Sequence, residues 1–153
     1  MPALLARARE RAARELVRVT KPRGKIGLAN WTPEGFIGQL FKTIGKHLPP
    51  PSGVKSPALW GTRARLAELF EPHALSVEAP RRHFVFRYRS PEHWLEIFRT
   101  YYGPVLKAFA ALSEPAQAAL ERDLIALVGR FNKASDGTMA VPSEYLEAVI
   151  TVR

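Results

Sequence analysis

Asn30, Trp31 and Thr32 are the residues of this chain whose types and placement could do chemistry. They follow a short apolar run, Lys25-Ile-Gly-Leu-Ala-Asn30, and precede a helix signal, Thr32-Pro33-Glu34. An amide, an indole and a hydroxyl at the carboxyl end of a strand stand where open α/β sheets bind ligands. Two readings of the pair stay open. In one, Asn30 and Trp31 form the lip of a pocket; in the other, the Trp packs under the next helix while the Asn caps it. The histidines (His47, His73, His83, His93) are scattered, with no two at helix-ligand spacing, so no metal site is expected. There is no G-x-G-x-x-G, no G-x-x-x-x-G-K-S/T and no G-x-S-x-G, which removes the recognisable dinucleotide, P-loop and nucleophile-elbow chemistries. No residue stands out as a general base, so no catalytic residue is assigned.

The elements that must position these residues follow from periodicity. Residues 3–20 read as a helix with Leu5, Ala8, Ala12, Leu16 and Val19 on one stripe and Arg7, Arg11, Arg14 and Arg18 on another. Lys21-Pro-Arg-Gly24 makes a turn into the strand, and Gly27 inside that strand points to a close backbone approach. Thr32 as N-cap and Pro33 at the first helical position start a helix running to about His47, with Phe36, Leu40, Phe41 and Ile44 apolar. Leu48-Pro-Pro-Pro-Ser-Gly53 is a stiff connection. Helix starts follow at Ser56-Pro57, Thr62, Ser90-Pro91 and Ser113-Glu114-Pro115. Residues 74–89 read as a long strand or hairpin arm, and residues 144–152 as a final strand.

The aromatic stripe Trp94, Phe98 and Tyr101 beside Tyr102 is either core or the roof of an apolar substrate cavity. Arg81-Arg82 and Arg87-x-Arg89 flank aromatics, as in a single-strand nucleic-acid platform or on the solvated face of a sheet.

Composition sets the outer bounds. The 153 residues suffice for a single domain, residues 1–153, with a core of its own. Apolar residues make up 46% and charged residues 24%, as in globular proteins, and the absence of cysteine removes thiolate sites and disulfides. No apolar run reaches the ~20 residues of a transmembrane helix, and the Arg-rich start lacks a signal-peptide core, so a cytoplasmic protein is expected. The net charge is +9, and residues 1–25 carry eight Lys/Arg against two Glu. That helix is either an exposed charged face or a patch for nucleic acid or an acidic partner.

The run Glu15-Leu-Val-Arg-Val-Thr-Lys-Pro-Arg-Gly-Lys-Ile-Gly-Leu-Ala-Asn-Trp31 resembles class I S-adenosylmethionine-dependent methyltransferases, in which E-x-x-R-V-x-K/R-P-G-G leads into the fifth strand. Gly24 matches the second glycine; Arg23 replaces the first. Thr32-Pro-Glu-Gly-Phe36, Ser56-Pro-Ala-Leu-Trp-Gly-Thr62 and the final strand resemble the ubiquinone/menaquinone-type small-molecule branch. The resemblance implies an α/β fold: the C-terminal remnant of a Rossmann-like sheet, strands ordered 5-7-6 with the last antiparallel, under several covering helices. It implies S-adenosylmethionine as cofactor, yet the family's D-x-G-x-G-x-G loop is missing, so no cofactor-binding residue is carried over. The chain then reads as the substrate-side half, inactive alone, with the N-terminal cofactor half absent. A helix starting almost at Met1 also fits a longer physiological protein.

A small-molecule methyl acceptor is expected against Asn30, Trp31, Thr32, Phe36, Trp60, Trp94 and Tyr101. The exposed strand 25–30 is expected to pair with a second copy or with a separate N-terminal half. The alternative is a non-enzymatic binding module that uses the basic first helix.

Overall fold

A computed structural model of the chain describes residues 2–50 and 57–153, with side chains from Glu10 to Pro50 and from Ala58 onward. The elements are α1 (Pro2–Val19), β1 (Lys25–Trp31), α2 (Phe36–His47), a 3-10 turn (Pro57–Gly61), α3 (Arg63–Phe70), β2 (Ala74–Glu78), β3 (Arg81–Tyr88), α4 (Pro91–Tyr101), α5 (Gly103–Ala111), α6 (Glu114–Phe131) and β4 (Met139–Val152). The fold is mixed α/β. Its four-stranded antiparallel sheet has the order β1-β4-β2, with β3 also paired to β4. The described chain divides into two compact units, 2–33 with 57–82 and 144–153, and 34–50 with 83–143.

In the first unit β4 serves as the template. β1 lies antiparallel to it from Lys25 opposite Thr151 to Trp31 opposite Tyr145. β2 lies antiparallel on β4's other side, with a register shift between Ala74 and Ser76. Ala79-Pro80 separates β2 from β3, because proline has no N–H to give a ladder. Its carbonyl still accepts from the Glu147 N–H at 3.0 Å. The expected long strand 74–89 is therefore two strands.

One face of this sheet is covered. Ile26, Leu146, Ala148, Ile150 and Val152 pack with Ala13, Leu66 and Phe70 of α1 and α3. Alternation along a strand sends every second side chain to that face. Burying side chains the size of Leu66 and Phe70 contributes roughly 1.5–3 kcal/mol each. The phase of α1 differs from the expected stripe. Ala13 is buried and Leu16 and Val17 pack on the core, whereas Ala12 is exposed and Val19 is 65% exposed. The side chains of Leu5, Arg7 and Ala8 lie outside those described.

In the second unit α2 starts at Phe36 with Gly35 as N-cap, so Thr32 and Pro33 do not start it. Extended pairing wins there: the Thr32 N–H donates to the Glu144 carbonyl at 3.1 Å, continuing the β1–β4 ladder. Phe36, Trp94, Leu120, Leu124, Leu127 and Val128 of this unit are fully buried. The buried Ser143 hydroxyl accepts from the Ile37 N–H at 3.3 Å, satisfying both. Ser90 caps α4 by accepting from the His93 N–H, as its sequence announces. Of the Pro-rich connection, residues 51–53 lie outside the described residues, as does Ser56 of the expected helix start.

Candidate functional site

The carboxyl end of β1 is built by a close backbone approach. A Cβ placed on Gly61 would collide with the Trp31 carbonyl oxygen and lie 2.5 Å from its carbon and 2.8 Å from the Thr32 Cα. Only a residue without a side chain permits this, and it seats the turn carrying Trp60 against the tip of β1. The expected approach at Gly27 does not occur, since a Cβ there meets nothing within 4 Å.

Four of the seven expected site residues, Asn30, Trp31, Thr32 and Trp60, therefore lie along this backbone contact, but alternation sends the Asn30 side chain to the covered face with Leu28 and that of Trp31 to the opposite face with Tyr145. Asn30 is partly buried, and its Nδ2 is a buried donor that finds no acceptor among the described residues. An amide left so costs roughly 1–3 kcal/mol, which a bound acceptor oxygen would recover. Trp31 stacks edge-on against Tyr145 across the ladder, centroids 5.9 Å apart. Trp60 stands edge-on to Phe70 at 6.3 Å. Thr32 is 2% exposed and its hydroxyl donates to the Glu144 carbonyl at 3.4 Å, so it is a structural residue with no face toward a ligand.

The other three belong to the second unit. Phe36 and Trp94 are both fully buried, 5.4 Å apart, and Phe36 also packs on Phe131 and Phe86. They are core. The indole Nε1 of Trp94 and the Nδ1 of His93 are buried without a partner among the described residues. Tyr101 is 77% exposed, and its neighbour Tyr102 takes the inner place, 4.7 Å from Phe98. Burial raises the Tyr102 and Tyr88 hydroxyl pKa above the usual tyrosine value.

A shallow groove of about 460 Å³ on this unit is lined by Arg99, Leu106, Phe109 and Gln117. Its polar groups are engaged. Arg99 lies over the Phe109 ring at 4.4 Å and donates to Gln117, whose amide holds the carbonyls of Phe109 and Leu112.

The carboxylates with displaced pKa are Glu92, lowered by the Ser90 hydroxyl, and Asp136, lowered by Thr138. Both shifts hold the groups ionised, the opposite of a base poised near neutrality. Among the described residues no three His, Asp or Glu side chains gather as a metal site. Arg11, Arg14 and Arg18 are exposed, and Arg18 pairs with Glu15 at 2.9 Å. Arg81 and Arg82 are exposed too and face Glu144 at 3.7 Å and Glu147 at 3.5 Å.

No protein-family model matches the chain. It is similar to uncharacterized protein Rv1403c of Mycobacterium tuberculosis, 31% identical over 140 residues that cover 89% of this chain and 50% of that protein. It is also similar to uncharacterized protein Rv1405c of the same organism, 36% identical over 132 residues, covering 84% and 47%. Uncharacterized protein Mb1440c of Mycobacterium bovis gives the same figures, 36%, 84% and 47%. The chain spans about half the length of the curated relatives it matches. Among the described residues no helix is long and apolar enough to cross a membrane.

What the sequence did not announce here is Gly61. Its signal, a Trp-Gly-Thr run just before α3, is visible only once β1 is known to lie beside it.

Proposed function

We propose that this chain is the acceptor-side half of a cytoplasmic S-adenosylmethionine-dependent methyltransferase of the small-molecule type, not catalytic by itself. The observation that carries the reading is Asn30: a buried amide donor without an acceptor among the described residues, at the carboxyl end of β1, on the sheet face where Leu28 and Trp60 pack against the core. Two features support the family resemblance. The strand order β1-β4-β2, with β4 antiparallel to both neighbours, is compatible with the order 5-7-6 that the resemblance implies, whereas β3 on β4 is a fourth strand which that order lacks. Arg23, standing where the family pattern has its first glycine, holds the left-handed φ of 62° that glycine favours. Relatives about twice as long leave room for a cofactor-binding half.

The residues present do not fit the cofactor. A nucleoside cofactor asks for a glycine-rich turn and an acidic side chain for its ribose. The tip of β1 offers one amide and two indoles, and the Glu144 carboxylate across the ladder is engaged by Arg81. The chain's own part is then binding. The Asn30 amide donates to an acceptor oxygen and fixes its orientation, while the Trp60 indole, packed on the same face of the sheet, displaces water.

The test uses 1-naphthol, a planar ring with one oxygen, titrated into the ¹⁵N-labelled chain. The Asn30 side-chain resonances and the Trp60 indole are expected to shift together, and Asn30→Leu to abolish the shift with the fold intact. Calorimetry with S-adenosylmethionine is expected to give no heat. Silent Asn30 resonances, or micromolar cofactor binding by the chain alone, would overturn the reading.

A further inference from the structure

We infer that the exposed side of α1 is a docking surface for the phosphate backbone of duplex DNA, an inference that stands on charge and helix geometry and not on the methyl-transfer reading. Ala13, Leu16 and Val17 turn one side of α1 onto the core of the first unit. Arg11, Arg14 and Arg18, three and four residues apart, share the other side and are exposed. The turn that follows adds exposed Lys21 and Arg23. The two described carboxylates of α1 leave most of this charge standing. Glu15 pairs with Arg18 at 2.9 Å, and Glu10 reaches across to Arg65 of α3 at 3.5 Å. Arg11, Arg14, Lys21 and Arg23 have no carboxylate partner among the described residues.

Uncompensated cations along one exposed side fit a polyanion. A second copy, carrying the same cations, would be repelled. An anionic bilayer asks a helix for an apolar side to insert, and that side of α1 is already turned to the core. A protein interface asks for aromatic or other large anchors at its centre, whereas Val19 is the one large apolar side chain that α1 exposes among the described residues. The same lack of rings removes a single-strand platform, which holds bases by stacking. Duplex phosphates need only charge. Each strand of B-DNA carries a phosphate per ~3.4 Å of axis, and Arg11 to Arg18 spans about 10 Å of helix, so the stripe faces about three phosphates before the turn adds its own cations. The major groove of B-DNA, ~12 Å wide, admits a helix held from behind, which the deep, narrow groove of an A-form duplex does not. Contacts of this kind read charge and not base sequence.

Fluorescence anisotropy of the full chain with a short labelled DNA duplex of mixed sequence, in about 50 to 200 mM salt, tests this. Neutralising four phosphates gives a slope of log affinity on log salt of about −3.6, a loss of about 150-fold across that range. Arg11→Gln/Arg14→Gln is expected to halve the slope with an unchanged circular dichroism spectrum, since glutamine has nearly the helix propensity of arginine. Lys107→Gln/Arg130→Gln, which removes the same charge from exposed positions of α5 and α6, is expected to keep the wild-type slope. In the ¹⁵N-labelled wild-type chain the Arg11 and Arg14 side-chain resonances are expected to shift on adding the duplex, a readout that needs no variant. Equal loss in the two double variants, or silent Arg11 and Arg14 resonances, would overturn the inference. So would tighter binding to an RNA duplex, to polyglutamate or to phosphatidylserine vesicles.

Discussion

Replacing Gly61 by alanine tests whether the tip of β1 is built by backbone contact. The added Cβ would lie 2.5 Å from the Trp31 carbonyl carbon and 2.8 Å from the Thr32 Cα. Ordinary carbon–carbon contact begins near 3.5 Å, so one backbone must retreat by about 1 Å. Neither can yield as a flexible side chain does, because Trp31 is held to Tyr145 in the β4 ladder and Gly61 lies between the 3-10 turn and α3. Overpacking of this kind costs about 1–3 kcal/mol, and contact with backbone places it toward 3. For a chain this long, that lowers the melting temperature by about 6–12 °C. Gly27→Ala is the comparison, since its Cβ meets nothing within 4 Å and less unfolded-state freedom is expected to change stability by under ~1 kcal/mol. Urea unfolding followed by tryptophan fluorescence measures both. Equal stability for Gly61→Ala and the wild-type chain would refute the close approach and the site geometry built on it.

Two further outcomes are expected. Arg23→Gly relieves a left-handed residue at φ 62°, a gain of about 1–2 kcal/mol less roughly 1 for glycine's extra freedom when unfolded, so the urea midpoint should rise. A fall of 1 kcal/mol or more would contradict it. Phe36→Ala, emptying a fully buried site among Phe86, Trp94 and Phe131, is expected to cost about 3–5 kcal/mol. Tyr101→Ala, at a residue 77% exposed, should stay within about 0.5; thermal melts that rank them otherwise would return both to the ligand-binding set.

The parts of the fold that were legible in the sequence are those set by local chemistry. Ser90-Pro91 and Ser113-Glu114-Pro115 start helices at their stated places, and alternation marks β3 and the inner face of β4. What failed needed a distant partner. Thr32-Pro33 reads as a helix start until Glu144, far along the chain, pairs with Thr32 and keeps the backbone extended. Ala12 and Ala13 are equivalent on any hydropathy pattern, so only the position of α3 decides which one is buried. Tyr101 and Tyr102 both continue the spacing from Trp94 and Phe98, and the break at Tyr102 before α5 chooses between them. At the site, Asn30 and Trp31 were visible as a polar tip. Trp60 joined them only through Gly61, whose meaning lies in a contact and not in a pattern.

The central place of β4 also fixes an order in time. β1 is made well before its partner, Lys25 against Thr151. A ribosome adding ~5–20 residues per second leaves β1 without its ladder for on the order of 6–25 s. Through that interval it has no ladder partner in β4, in a chain whose pairings join residues far apart in sequence and therefore close slowly. Of the two outer strands of the order β1-β4-β2, β1 is thus the one that waits longer for its partner. Slower and cooler synthesis, which keeps unfinished chains dilute, should favour native protein over entangled chains.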